Sequence, residues 1–165
     1  MRYIEIATIA SISLLLVLAT YLIGKASSKV SAFSWIGVFL LLLALNFGDG
    51  LLYLNGFYLN HPRLAGWEEG FVLLYGPTVF FFASSVTNPP FRWSLSMWFH
   101  FLPFLAVVFA VVSAYQSFCL DDQQFIVVIA SSMTPSWYVF LVQLAALGHF
   151  LAYTLVALRK LRGHK

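Results

Sequence analysis

Charge is what this sequence has least of. Lys, Arg, Asp and Glu together make up 9% of its 165 residues, against about 25% in an ordinary soluble domain. A chain of this length with so little charge cannot clothe a water-exposed surface. A single cysteine, Cys119, excludes an internal disulfide and leaves only pairing between two copies. There is no H-E-x-x-H, G-x-S-x-G or Walker loop and no cysteine pair, so nothing argues for an enzyme. No cofactor or resident metal is expected. No internal repeat, low-complexity tract or linker marks a second domain, so residues 1–165 read as one unit.

What the sequence has in quantity is apolar length. Hydrophobic residues are 61% of the chain and the mean hydropathy is +0.88. Several runs approach the roughly 20 residues that cross a bilayer. The expected fold is all-α, a polytopic transmembrane bundle of about five spans: Ile4 to Ile23, Ser34 to Leu54, Trp67 to Val86, Ser94 to Ala114, and Ser136 to Leu158. Helices are required because lipid leaves each segment to satisfy its own backbone polar groups. The first run is too long for a signal-peptide core and no A-x-A pattern follows it, so it reads as a retained helix.

Lys and Arg resist translocation, which lets the connections be oriented. With the N-terminus outside and the C-terminus inside, seven basic residues lie in the cytoplasm (Lys25, Lys29, Arg92, Arg159, Lys160, Arg162 and Lys165) and two outside (Arg2 and Arg63). Glu68, Glu69, Asp121 and Asp122 then fall in the external connections. The net charge of +3 is therefore mostly topological, since four of the nine basic residues crowd into the last seven positions. That tail suits a topogenic anchor that touches anionic headgroups; it is too short to form a nucleic-acid recognition fold, and no direct nucleic-acid binding is expected. The expected partners are the bilayer and either a second copy or another membrane protein.

Between the fourth and fifth spans, residues 115–135 contain an apolar stretch, Phe125 to Ala130. It is too short to cross as a helix and reads as interfacial or re-entrant, with an extra tilted span as the alternative. Pro77 in the third span and Pro103 in the fourth each remove a backbone hydrogen bond and clash with the preceding turn, so a kink is expected at both.

Polar residues inside apolar runs are the candidate functional groups. Asn46, Asp49 and Tyr53 are spaced three and four apart, which places them on one face of the second span. Asp49 reads either as a ligand or proton site, or as an interfacial residue about 8 Å from the outer helix end. His149 and Tyr153 lie one turn apart in the fifth span, beside the small pair Gly148 and Ala152. Such a pair admits a neighbouring helix, to which an imidazole can hydrogen-bond. The same imidazole is a candidate proton relay. His100 reads as interfacial. His61, Glu68 and Glu69 lack a compact ligand spacing, and their loop reads as solvated.

The order of motifs adds a resemblance. His61-Pro62-x-Leu64, then Leu73-Leu74-Tyr75-Gly76-Pro77 with Phe80-Phe81-Phe82, then Phe91-Arg92 and His100-Phe101-Leu102-Pro103-Phe104, resemble the membrane sensor region of AraC-type helix-turn-helix transcriptional regulators. The resemblance spans about residues 35–165. It implies a bacterial inner-membrane protein in which a multi-helix membrane part precedes a cytoplasmic DNA-binding domain. The family's two further spans and helix-turn-helix have no counterpart in these 165 residues, so DNA binding does not carry over and a sensory or signalling role does. The competing expectation, from another class, is a small transporter or proton-coupled permease using Asp49 and His149.

Overall fold

The computed structural model of the chain describes residues 2–25, 31–61, 64, 70–88, 91–117 and 137–164. All regular elements among them are helical: α1 (Arg2–Lys25), α2 (Ser31–Leu54), the single turn α3 (Phe57–Asn60), α4 (Val72–Thr87), a 3-10 helix η1 (Leu95–Phe101), α5 (Leu102–Ser117) and α6 (Trp137–Gly163). Three segments are long and apolar enough to cross a membrane, Tyr3–Lys25, Ala32–Leu54 and Gln143–Gly163. Two shorter apolar helices, Val72–Thr87 and Leu95–Ala110, accompany them. The stretch Phe125 to Ala130 lies outside the described residues, as do Pro62, Arg63, Glu68 and Glu69.

The helices alternate in direction. In the α1–α2 hairpin, Gly37 near the start of α2 sits against Ala19 and Ile23 near the end of α1. A Cβ at Gly37 would lie 2.6 Å from Ile23 Cγ1 and 3.0 Å from the Ala19 carbonyl oxygen, so glycine is what allows the two backbones to approach. Helices α2 and α4 are antiparallel, because Trp35 meets Phe81 at 4.7 Å and Phe39 meets Tyr75 at 5.5 Å between ring centroids. The η1–α5 segment turns back along α4, with Phe101 at the end of η1 on Phe81 and Phe104 in the first turn of α5 on Phe71, just before α4 begins. By contrast α4 and α6 run parallel: Gly76 faces Tyr153 and Ser84 meets Lys160.

A small core of Leu42, Phe71 and Leu74, flanked by Val38, Tyr75, Phe101 and Phe104, joins α2, α4 and α5. Most other large apolar side chains face outward, including Ile4, Ile9, Val17 and Tyr21 on α1. A helix that is apolar all round and hardly buried by its own chain has the surface of a lipid-facing span.

The two prolines behave differently. Pro77 is fully buried within an uninterrupted α4, and the Thr78 hydroxyl donates to the Tyr75 carbonyl at 2.8 Å beside it. Pro103 falls in the first turn of α5, just after the 3-10 helix ends. Its missing N–H is harmless there, and the winding changes from 3-10 to α just before it.

Candidate functional site

The residues with chemical potential gather at two places. The first lies at the end of α2 remote from Lys25. Asn55-Gly56 turns the chain with Gly56 at φ 68°, a left-handed value that glycine adopts without a Cβ penalty. The turn brings α3 back over α2, and the Tyr58 hydroxyl donates to Asp49 Oδ1. Both residues are buried, Asp49 at 9% exposure, so the carboxylate is capped by a phenol instead of opening to the surroundings. Asn46 and Tyr53 point elsewhere, lining a shallow groove of about 400 Å³ with Thr8 of α1. Asp49 itself is turned to α3.

The second place is where α4, η1 and α6 meet. The parallel packing of α4 on α6 sets Gly76 against the Tyr153 ring, where a Cβ would fall 2.9 to 3.0 Å from three ring-side atoms. Only glycine admits the phenol at this depth. Tyr153 Oη lies 2.5 Å from His100 Nδ1, which ties α6 to the 3-10 helix. On its other side the Tyr153 ring contacts the His149 imidazole at 4.8 Å between centroids. Phe80 and Phe81 of α4 complete the wall, 5.2 and 5.4 Å from the His100 ring.

The interhelical hydrogen bond expected of His149 is thus made one turn later, by Tyr153, and its partner is His100. His149 Nδ1 and the Tyr75 hydroxyl are buried and have no hydrogen-bond partner among the described residues. Gly148 and Ala152 are exposed, with no side chain or backbone near the Gly148 Cβ position, so the small pair does not mediate the α4–α6 contact. His61 is exposed and packs on Phe57 at 4.5 Å. No group of three His, Cys, Asp or Glu side chains suited to a metal occurs among the described residues.

Further toward the basic end, Lys160 Nζ donates to Ser84 Oγ at 2.9 Å and lies 5.0 Å above the Phe80 ring centroid. Trp35, Phe91, Trp93 and Trp98 cluster at the same end, with Trp35 and Trp93 stacked at 5.8 Å. Sequence reasoning overlooked the Ser84–Lys160 and Asp49–Tyr58 pairs. The Asn55-Gly56 dipeptide, a strong turn signal, was the available clue to the second; a pairing across 76 positions left none for the first.

The described residues form a helical protein with three helices long and apolar enough to cross a membrane, in which a few polar side chains join one helix to another. No family model, curated protein or solved structure matches the chain.

Proposed function

We propose that the chain is a five-span sensory or signalling domain of a bacterial inner membrane, N-terminus outside and C-terminus in the cytoplasm, working through the position of α6. The alternation of helix directions supports five crossings. Helices α4 and α6 lie side by side and parallel, so a chain that threads both through one bilayer must return between them, and η1 with α5 supplies the return. At about 2.0 Å per 3-10 residue and 1.5 Å per α residue, these two segments span roughly 38 Å, enough for a hydrocarbon core of about 30 Å. The orientation is supported by Lys25, Arg92 and Lys160, which share one end of the bundle with the tryptophan cluster, as cytoplasmic cations and interfacial aromatics do.

The signalling role rests on one observation. The two segments that carry the resemblance to AraC-type sensor regions, Tyr75-Gly76-Pro77 and His100 to Pro103, both engage Tyr153: Gly76 by contact and His100 by hydrogen bond. Any stimulus that alters this joint moves the helix leading to the basic cytoplasmic end. A signal of this kind needs an element with two arrangements that the input biases.

The test is a transcript comparison under envelope or nutrient stress between cells carrying the native gene, a deletion, and Tyr153→Phe or Gly76→Ala at the native locus. Altered stress-dependent transcripts in the deletion and both variants are expected. Unchanged transcripts in the deletion strain overturn the signalling reading. Reporter fusions after Lys29, Arg92 and Lys165 check the topology separately; a reporter active on the outer side at any of the three overturns the orientation.

A further inference from the structure

We infer that the cytoplasmic end of the α4–α6 groove is a binding site for the phosphate of an anionic phospholipid, built on Lys160 and Ser84. The inference rests on the reading of α4 and α6 as membrane spans. It goes beyond diffuse attraction of a basic tail to headgroups, because it names a seat. Lys160 is only half-exposed, and its ammonium is fixed between the Ser84 hydroxyl at 2.9 Å and the Phe80 ring at 5.0 Å. No carboxylate pairs with it among the described residues. An ammonium carries three donors, and Ser84 accepts only one of them here.

Ser84 itself is 4% exposed. As the acceptor of the Lys160 bond it keeps its own proton available for a further acceptor, so the pair presents N–H and O–H donors together. A phosphate oxygen is the acceptor that matches both, and its charge offsets the uncompensated ammonium. The local field decides the sign of the ligand. The α4 and α6 C-termini each contribute roughly half a negative charge, whereas Lys160, Arg159 and Arg162 each contribute a full positive one within the last turns of α6. The sum is clearly positive, which excludes a cation as occupant.

Height in the bilayer selects the source of the phosphate. Trp93 and Trp98 are exposed at the same end, where indoles settle at headgroup level. Basic pockets between spans at this level recognise phosphorylated headgroups.

The test uses the full chain purified in an uncharged detergent, its thermal unfolding midpoint followed against added phosphatidylglycerol, phosphatidylcholine or inorganic phosphate. Phosphatidylglycerol is expected to raise the midpoint of the native chain, and phosphatidylcholine and inorganic phosphate at equal concentration are not. Lys160→Gln is expected to shift the half-saturating phosphatidylglycerol concentration upward by about fivefold, as loss of one basic residue at a headgroup predicts. Ser84→Ala gives a smaller shift in the same direction, Lys160→Arg retains the response, and Lys25→Gln, which removes an equal charge from the α1–α2 hairpin, leaves it in place. An unshifted response in both Lys160→Gln and Ser84→Ala overturns the site. An equal loss in Lys25→Gln reduces it to diffuse charge, and an equal response to inorganic phosphate overturns the lipid assignment. Because this readout in detergent does not depend on which way the chain crosses a membrane, failure of the topology fusions and failure of the site are separately visible.

Discussion

The α1–α2 hairpin and the α4–η1–α6 junction solve one problem by different means. Between helices in lipid there is little hydrophobic drive, because acyl chains are as apolar as leucine, so association depends on close packing and on interhelical hydrogen bonds. The hairpin uses packing: Gly37 lets Ala19 and Ile23 approach, and the four Ser and Thr hydroxyls of α1, Thr8, Ser11, Ser13 and Thr20, donate back to carbonyls of their own helix. The junction uses packing and polar bonds together, with Gly76 admitting Tyr153, Tyr153 joined to His100, and Lys160 joined to Ser84. Contacts between carbon atoms have one best arrangement, whereas hydrogen bonds can be exchanged for others. On the proposed signalling reading, the first pair is the scaffold and the second the joint whose polar bonds can be exchanged.

The largest expected effect that sharpens this contrast comes from filling the glycine notch. Gly76→Leu drives a branched side chain into the Tyr153 ring and should cost about 3 kcal/mol or more of stability in mixed micelles titrated with a denaturing detergent. It should also abolish the Tyr153–His100 bond, read from the phenol fluorescence or hydroxyl exchange. A loss below about 1 kcal/mol would show that α6 is not seated on α4 as described.

Next in size is the loss of the phenol over Asp49. Tyr58→Phe leaves a buried carboxylate without its capping donor, expected to cost about 1.5 to 3 kcal/mol in the same titration. Asp49→Asn, which keeps an acceptor for Tyr58, should cost less than that. The same variant with His149→Ala, compared with the native chain in proteoliposome flux assays, decides the transport alternative: unchanged flux, or none in the native chain, removes it.

Smaller again is the tie itself. Tyr153→Phe keeps the ring contacts with Gly76, Phe80 and His149 while removing the hydroxyl, and a double-mutant cycle with His100→Phe should return a coupling of about 0.6 to 1.7 kcal/mol. Smallest is the hairpin control. Ser11→Ala and Thr20→Val remove hydroxyls that serve only their own helix, and each should change stability by less than about 0.5 kcal/mol. A hydroxyl in α1 that mattered as much as Tyr153 would break the distinction between scaffold and joint.

How much was legible beforehand differs by element. The long helices α1, α2 and α6 were readable because a run of about twenty mostly apolar residues needs no partner to declare itself. In the third run α4 covers Val72–Thr87, and the fourth opens with a 3-10 turn before Pro103, since short-range winding depends on packing that periodicity does not encode. His149 and Tyr153 were singled out as neighbours on α6, and they are in ring contact at 4.8 Å. Which of the two reaches another helix was not readable, because a helical wheel gives the angle between residues and not which neighbour fills that angle.

The apolar and helical character of the chain was legible from residues and short runs alone, because hydropathy, helical reach and charge are local properties. Helix packing set the rest: Asp49 is capped by Tyr58, Tyr153 meets His100, and Lys160 rests on Ser84. Those pairings join positions 9, 53 and 76 residues apart, and such partners are chosen by how helices pack, through notches such as Gly76, which no local pattern of residues specifies.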